Sequence, residues 1–281
     1  MMNILYISDL DGTLLTPQAA LSPFAAEHLQ RLLRGGLHFT VATARTWEST
    51  RLILKDVLPL PAPIVLQNGA LVFDTRTGSY IKKEIIPEET VLELLCIVKA
   101  HGQAGVLYSI LGDRIRLYHE DLARHPVLQG FLAARVPIYG GQITETPDLA
   151  AHVGEDAVYL MTQGAYDELT PLRDAIEGLP GIAHVLSPDD YLPGNWYFEC
   201  FSASATKYNA ARFLRERYGY DRVVGFGDNL NDVPLFRACD EAWAVSNARE
   251  ELKAVATGVI GANADDGVVR FLLERTTGRL G

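Results

Sequence analysis

Asp9 and Asp11 lie two positions apart in the segment Ile7-Ser8-Asp9-Leu10-Asp11-Gly12-Thr13-Leu14, directly after the apolar run Ile4-Leu5-Tyr6-Ile7. A short apolar run of this kind reads as a buried strand, and a glycine and a threonine then turn the chain away from its end. The carboxyl end of such a strand is where open α/β sheets collect their ligands. Two carboxylates at that place suit phosphate chemistry. Phosphate monoesters are nearly inert in water, and enzymes accelerate their hydrolysis by up to about 10²¹-fold. One route is covalent: a carboxylate attacks phosphorus, and water then hydrolyses the acyl phosphate. Asp9, at the strand end, suits the nucleophile. Asp11, beyond it, suits the acid that protonates the leaving oxygen and the base that later activates water. An Asx-type turn without chemistry is the competing reading of the pair.

Other strand ends carry matching parts. Thr43 follows Phe39–Ala42 in the run Val41-Ala42-Thr43-Ala44-Arg45. A hydroxyl beside a helix N-terminus makes a small anion site, although threonine there can equally serve only as a helix cap. Arg45 either contacts substrate or lies on a surface helix. Lys207 opens a helical pattern after the polar run Ser202–Thr206. A cation in the first turn opposes the helix dipole, which points to an anion nearby, against the alternative of a solvated lysine. Gly227-Asp228-Asn229-Leu230-Asn231-Asp232 follows the apolar run Val223–Phe226. Two carboxylates four residues apart offer hard oxygen ligands of the kind Mg²⁺ takes. Asp228 is the expected metal ligand, Asp232 is expected to hold a metal-bound water or Lys207, and Asn231 to orient that shell. Acidic helix capping is the competing reading.

These parts need elements to position them. Ile4–Ile7, Phe39–Ala42, Ile64–Leu66 and Val223–Phe226 read as buried parallel strands, with Ala242–Val245 and Val259–Ile260 as weaker candidates. A helix opens at Ser22-Pro23, carries Leu29, Leu32 and Leu33 on one stripe and ends at Gly35-Gly36. Residues 46–57 and 207–218 read as helices too. Alternation of this kind gives a doubly wound α/β sheet. From Lys82 to Leu192 the pattern changes. Helical stretches at 88–101 and 166–177 alternate with strands at 105–110, 114–119, 157–162 and 182–187, and Leu111-Gly112-Asp113 marks a hairpin. None of the phosphate-type segments falls there. The expected organisation is a core formed by 1–81 and 193–281 with an α+β domain, 82–192, inserted into it. Trp196 and Tyr197, at the return to the core, read as packing between the domains rather than as a substrate platform.

Composition narrows the partners. The chain has 281 residues, 48% hydrophobic and 21% charged, with a formal net charge of −10. That balance argues against nucleic acid or an anionic membrane surface as partner and leaves a small-molecule phosphate ester. Three widely separated cysteines, Cys96, Cys200 and Cys239, form no disulfide framework or zinc spacing, which fits a reducing cytoplasm. The start, Met1-Met2-Asn3-Ile4, lacks the regions of a signal peptide, and no apolar run approaches the roughly 18 residues of a membrane span.

Taken in order, Asp9-Leu10-Asp11-Gly12-Thr13, Thr43, Lys207 and Gly227-Asp228 to Asn231-Asp232 resemble the four motifs of the haloacid dehalogenase superfamily of phosphohydrolases. The large insert between the second and third motifs resembles the type IIB cap of the Cof-like branch. Gln67-Asn68-Gly69-Ala70 is similar to a segment usual in that branch. The resemblance implies a Rossmann-like core with a cap. It implies that Asp9 is phosphorylated, that Asp11 acts as acid and base, and that Thr43 and Lys207 hold the phosphoryl oxygens. Mg²⁺ would be bound by Asp9, Asp228 and the Asp11 backbone carbonyl, with Asp232 beside them. Leu10, Ala44, Arg45, Asn68, Gly69 and Asn231 are the expected substrate contacts. The chain departs from the family at Tyr208, where relatives often carry glycine, and at Val233-Pro234-Leu235-Phe236, where they often carry methionine. The expected function is Mg²⁺-dependent hydrolysis of a small phosphorylated metabolite such as a sugar phosphate. A phosphomutase or phosphotransferase would use the same aspartyl phosphate. A non-catalytic module binding a phosphorylated ligand is the third reading, though such a protein should lose motif residues and none is lost here.

Overall fold

The computed structural model describes residues 2–189 and 192–276. The chain forms two compact units, Met1–Lys82 with Ala205–Gly281, and Lys83–Ser204. The first unit opens with β1 (Ile4–Ser8), a tight turn over Leu10–Leu14, α1 (Pro23–Arg34), β2 (His38–Val41), α2 (Trp47–Ile53), β3 (Ile64–Leu66), β4 (Leu71–Asp74) and β5 (Ser79–Lys83). The second unit follows with α3 (Glu88–Ala100), β6 (Val106–Leu111), β7 (Arg114–His119), α4 (Pro126–Ala133), α5 (Val136–Tyr139), β8 (Ile143–Glu145), β9 (Asp156–Ala165), α6 (Tyr166–Ile176), β10 (Ile182–Pro188) and β11 (Asn195–Ser202). The first unit then resumes with α7 (Lys207–Tyr218), β12 (Arg222–Gly227), α8 (Val233–Ala238), β13 (Glu241–Val245), α9 (Glu250–Lys253), β14 (Gly258–Ile260) and α10 (Gly267–Thr276).

The first unit is built on a parallel sheet in the order β14-β13-β12-β1-β2. Leu5, Ile7, Val223 and Val224 are fully buried, as expected of central strands covered on both faces. The chain runs from β1 to β2 on one side, whereas β12 lies on the other side of β1. The strand order therefore reverses at the β1/β12 pair, and the crevice outside their carboxyl ends is the switch point where such sheets bind ligands. The weaker candidate strands Ala242–Val245 and Val259–Ile260 are β13 and β14. Ile64–Leu66 meets the parallel strands through a parallel bridge between Ala42 and Val65, and on its other side pairs antiparallel with β4 in a small sheet of order β3-β4-β5.

In the second unit a six-stranded sheet runs β10-β11-β9-β6-β7-β8, antiparallel apart from the β7–β8 pair. Val91, Leu94 and Val98 of α3 and Leu169, Leu172 and Ile176 of α6 pack with Leu107, Leu160 and Phe198 of the sheet. The sequence reading ended this insert at Leu192. The structure ends it at Ser204, because Asn195–Ser202 is a strand hydrogen-bonded between β10 and β9. Trp196 and Tyr197 accordingly belong to the insert and project to opposite faces of its sheet. Trp196 joins the core and meets the Tyr166 ring at 4.8 Å. Among the described residues, no helix is long and apolar enough to cross a membrane.

Candidate active site

Asp9 and Asp228 leave the carboxyl ends of the paired strands β1 and β12, and the Asp9 amide donates to the Phe226 carbonyl at 3.0 Å. The turn after Asp9 explains its own sequence. Gly12 has φ +78°, and a Cβ there would lie 2.4 Å from Asp228 Oδ2. Only glycine allows both the left-handed backbone and that approach. Thr13 then donates its hydroxyl to Asp228 Oδ1 at 2.8 Å and fixes the carboxylate.

Lys207 begins α7, with Thr206 as N-cap accepting from the Asn209 amide at 3.1 Å. The lysine is 1% exposed. Its Nζ donates to Asp9 Oδ1 at 2.6 Å and to Asp232 Oδ1 at 2.7 Å. Asp232 Oδ2 accepts from the amides of Asp228 at 3.0 Å and Asn229 at 3.1 Å. Both oxygens of Asp232 are thus engaged by the protein. The bond to Lys207 is one of the two roles the sequence left to it.

One carboxylate oxygen each from Asp9, Asp228 and Asp232 lie within 4.8 Å of one another. Burial pushes the Asp9 carboxyl up to about 8, against the opposing pull of Lys207. Burial likewise raises Asp228 to about 6, with the Thr13 hydrogen bond opposing it. Burial alone would lower Lys207, but the charges of Asp9 and Asp232 outweigh it and carry the ammonium above its ordinary range. Lys207 bonds Asp9 and Asp232, and with Asp228 beside them the one ammonium leaves negative charge uncompensated in a poorly solvated place. A hard divalent cation bound by oxygen would relieve that, so the donor set fits Mg²⁺.

Thr43 is 1% exposed and lies between β2 and α2. Its amide donates to Val65 O at 3.0 Å and its hydroxyl accepts from the Arg45 amide at 3.1 Å. Because α2 begins at Trp47 with Thr46 as its N-cap residue, Thr43 is not a helix cap. Arg45, expected as a substrate contact or a surface residue, clasps Asp11. Its Nε meets Asp11 Oδ2 and its Nη2 meets Oδ1, each at 2.7 Å, while Nη1 donates to Ser49 Oγ at 2.9 Å.

The other expected contacts divide. Asn231 Nδ2 donates to Asn68 Oδ1 at 3.2 Å, which joins two of them. Gln67, Asn68 and Gly69 all have positive φ, at +46°, +54° and +107°. A Cβ on Gly69 would stand 2.2 Å from the Thr206 carbonyl oxygen, so this segment backs directly onto the start of α7. Leu10 is fully buried, which leaves only its backbone for a ligand, and Ala44 is exposed.

Two further residues escaped the sequence reading. Asn247 Nδ2 donates to the Gly12 carbonyl at 2.8 Å, and its Oδ1 accepts from the Asn263 amide at 3.0 Å. Asn263 Nδ2 in turn donates to Leu15 O at 2.8 Å. The pair holds the turn that carries Asp11. A polar residue two positions beyond the end of β13 was the available signal for Asn247.

The model of the haloacid dehalogenase-like hydrolase family matches residues 6–272. A Bacillus subtilis protein, 5-amino-6-(5-phospho-D-ribitylamino)uracil phosphatase YitU, is 24% identical over 269 residues, covering 95% of each chain. The Escherichia coli pyridoxal phosphate phosphatase YbhA is 25% identical over 94% of this chain and 95% of its own. The crystal structure of TM0651 from Thermotoga maritima superposes with a TM-score of 0.79 at 26% identity, covering 98% of this chain and 97% of that one.

Proposed function

Because the chain belongs to the haloacid dehalogenase-like hydrolase family, we propose that it hydrolyses phosphate monoesters of small metabolites, with Asp9 as nucleophile and Mg²⁺ as cofactor. The observation that carries this reading is the position of Asp9 at the strand switch point, hydrogen-bonded to the buried Lys207 and gathered with Asp228 and Asp232. The names of YitU and YbhA describe phosphatases of two different small phosphate esters, which supports the substrate class. Free cysteines throughout support a cytoplasmic location.

Asp9 and Asp228, with the Asp11 backbone carbonyl, are the residues proposed to hold Mg²⁺. When bound, the ion offsets the repulsion between a carboxylate nucleophile and a phosphate dianion. An Asp9 oxygen attacks phosphorus as the bond to the leaving oxygen breaks. Asp11 supplies the proton that the leaving oxygen takes. Water then attacks the aspartyl phosphate, Asp11 accepts a proton from it, and the Asp9 carboxylate is released with inorganic phosphate. Lys207 and the Thr43 hydroxyl hold the non-bridging oxygens as their charge grows. Asp232 keeps Lys207 aimed at Asp9.

Phosphate release from a panel of phosphorylated sugars, nucleotides and cofactors tests the reading, with Mg²⁺ and with EDTA, for the wild type and Asp9→Asn. Mg²⁺-dependent release that vanishes in the variant is expected. Release that survives in Asp9→Asn would refute the assignment.

A further inference from the structure

The loop between Asp9 and Thr13 is softest at Gly12. Asp11 has φ −74° and ψ 124°, and Gly12 has φ 78° and ψ −10°, the central pair of a type II turn. Glycine has the widest backbone freedom of any residue, so the loop yields most readily there. Both neighbours of Gly12 bear on the proposed metal site. On one side is the Asp11 carbonyl, a proposed ligand. On the other is Thr13, whose hydroxyl donates to Asp228 Oδ1 at 2.8 Å. A bond that restrains Gly12 therefore sets the Asp11 carbonyl and the Asp228 carboxylate together.

Asn247, two residues beyond the end of β13, supplies such a bond: its Nδ2 donates to the Gly12 carbonyl at 2.8 Å. Its amide can face only one way. Oδ1 accepts from the Asn263 backbone amide at 3.0 Å, and a backbone N–H only donates, so Nδ2 is the atom turned to Gly12. Two positions on, the Arg249 amide donates to the Asp228 carbonyl at 2.9 Å. The chain after β13 thus grips both ligand-bearing segments, through a side chain at 247 and through the backbone at 249. Asn247 is exposed, so core packing does not demand an asparagine there.

We infer that Asn247 is a positioning residue for the metal site, acting through the Gly12 peptide to hold the Asp11 carbonyl and Asp228 at the spacing Mg²⁺ requires. The inference rests on the Mg²⁺ reading above. Asn263 supplies the comparison that separates this role from a merely structural one. Its Nδ2 donates to the Leu15 carbonyl, also at 2.8 Å, in the same stretch of chain but beyond Thr13. That bond is buried, so its loss should cost at least as much stability as loss of the exposed Asn247 bond. It does not touch the Gly12 peptide. Asn263→Ala also keeps the backbone amide that orients Asn247.

The test is calorimetric titration of the metal-stripped full chain with MgCl₂ at one fixed pH, with Tm measured in EDTA. Asn247→Ala is expected to bind Mg²⁺ about tenfold more weakly than the wild type. Asn263→Ala is expected to lower Tm at least as far and to weaken Mg²⁺ much less. In Asn247→Ala, kcat should return to near its wild-type value at saturating Mg²⁺, while the Mg²⁺ needed for half-maximal rate rises by the same factor as the Kd. Asn247→Ser, whose hydroxyl is too short to reach Gly12, carries the same expectation and serves if the alanine variant does not fold. Wild-type Mg²⁺ affinity in the Asn247 variants, or an equal loss in Asn263→Ala, overturns the inference and leaves the Mg²⁺ reading standing. A wild type that binds no Mg²⁺ refutes that reading, and this inference with it.

Discussion

Arg45 holds Asp11 through two parallel hydrogen bonds of 2.7 Å, so the carboxylate proposed as acid and base is oriented before any substrate arrives. Arginine suits this because its planar fork matches both carboxylate oxygens, which a lysine cannot do. Both Asp11 oxygens are engaged by Arg45, so one of these bonds must open as the leaving oxygen comes up to Asp11. Arg45→Ala is expected to lower kcat about tenfold, a part of the 10²–10⁴ that a positioned acid-base group contributes. Arg45→Lys should recover little of it. Steady-state kinetics at fixed pH would decide, and wild-type kcat in Arg45→Ala would rule out the orienting role.

Gly69 tests how closely the 67–69 segment is fitted to Lys207. An added Cβ would lie 2.2 Å from the Thr206 carbonyl and 2.9 Å from the Lys207 amide, both backbone atoms that cannot swing aside. Gly69→Ala should cost about 2–3 kcal/mol in urea unfolding and should reduce turnover by shifting Lys207. A neutral effect on both would mean that the backbone there yields freely.

How much of this was legible beforehand follows from what each residue depends on. Asp9, Asp228 and the strands that carry them were readable because apolar runs ending in acidic residues are local patterns. That Gly12 makes room for Asp228 was not, since the clash is with a residue 216 positions away. The Arg45–Asp11 clasp and the Asn247–Asn263 pair depend on side-chain direction, which spacing does not encode. The domain boundary was drawn too early because β11 alternates buried and half-buried residues as any strand would. Only its pairing with β9 and β10 assigns it to the insert.

Mg²⁺ binding should depend on pH in a definite direction. Burial raises Asp9 to about 8 and Asp228 to about 6, so both must release protons to take the ion. The apparent affinity should therefore weaken as pH falls from 8 through 6. Mg²⁺ should also raise Tm in the wild type, because it binds only the folded state, and should fail to do so in Asp228→Asn. Thermal shifts across pH would show both effects. Affinity that strengthened on acidification would contradict the assigned ligands.

A second pH effect belongs to the insert. Glu199 is half-buried, accepts a hydrogen bond from the Tyr159 hydroxyl, and is raised above its ordinary 4.5 by loss of solvation. An acid with a raised folded pKa contributes stability that is fully present below 4.5 and is lost as pH rises through the folded value. Glu199→Gln should remove this part of the pH dependence and leave the protein relatively more stable at neutral pH. Denaturation midpoints for both forms, taken from pH 4 upward, would test it; parallel pH curves would exclude Glu199 as the source.

The central claim is that Asp9 becomes phosphorylated. The direct measurement is mass spectrometry of enzyme quenched in acid during turnover of a good substrate, with the peptide containing Asp9 mapped for an added phosphoryl group. The account predicts one phosphoryl group on Asp9, formed and lost at rates compatible with kcat, and absent from Asp9→Asn. Rapid substrate turnover with Asp9 never modified at any quench time, or a phosphoryl group on another residue, would contradict it.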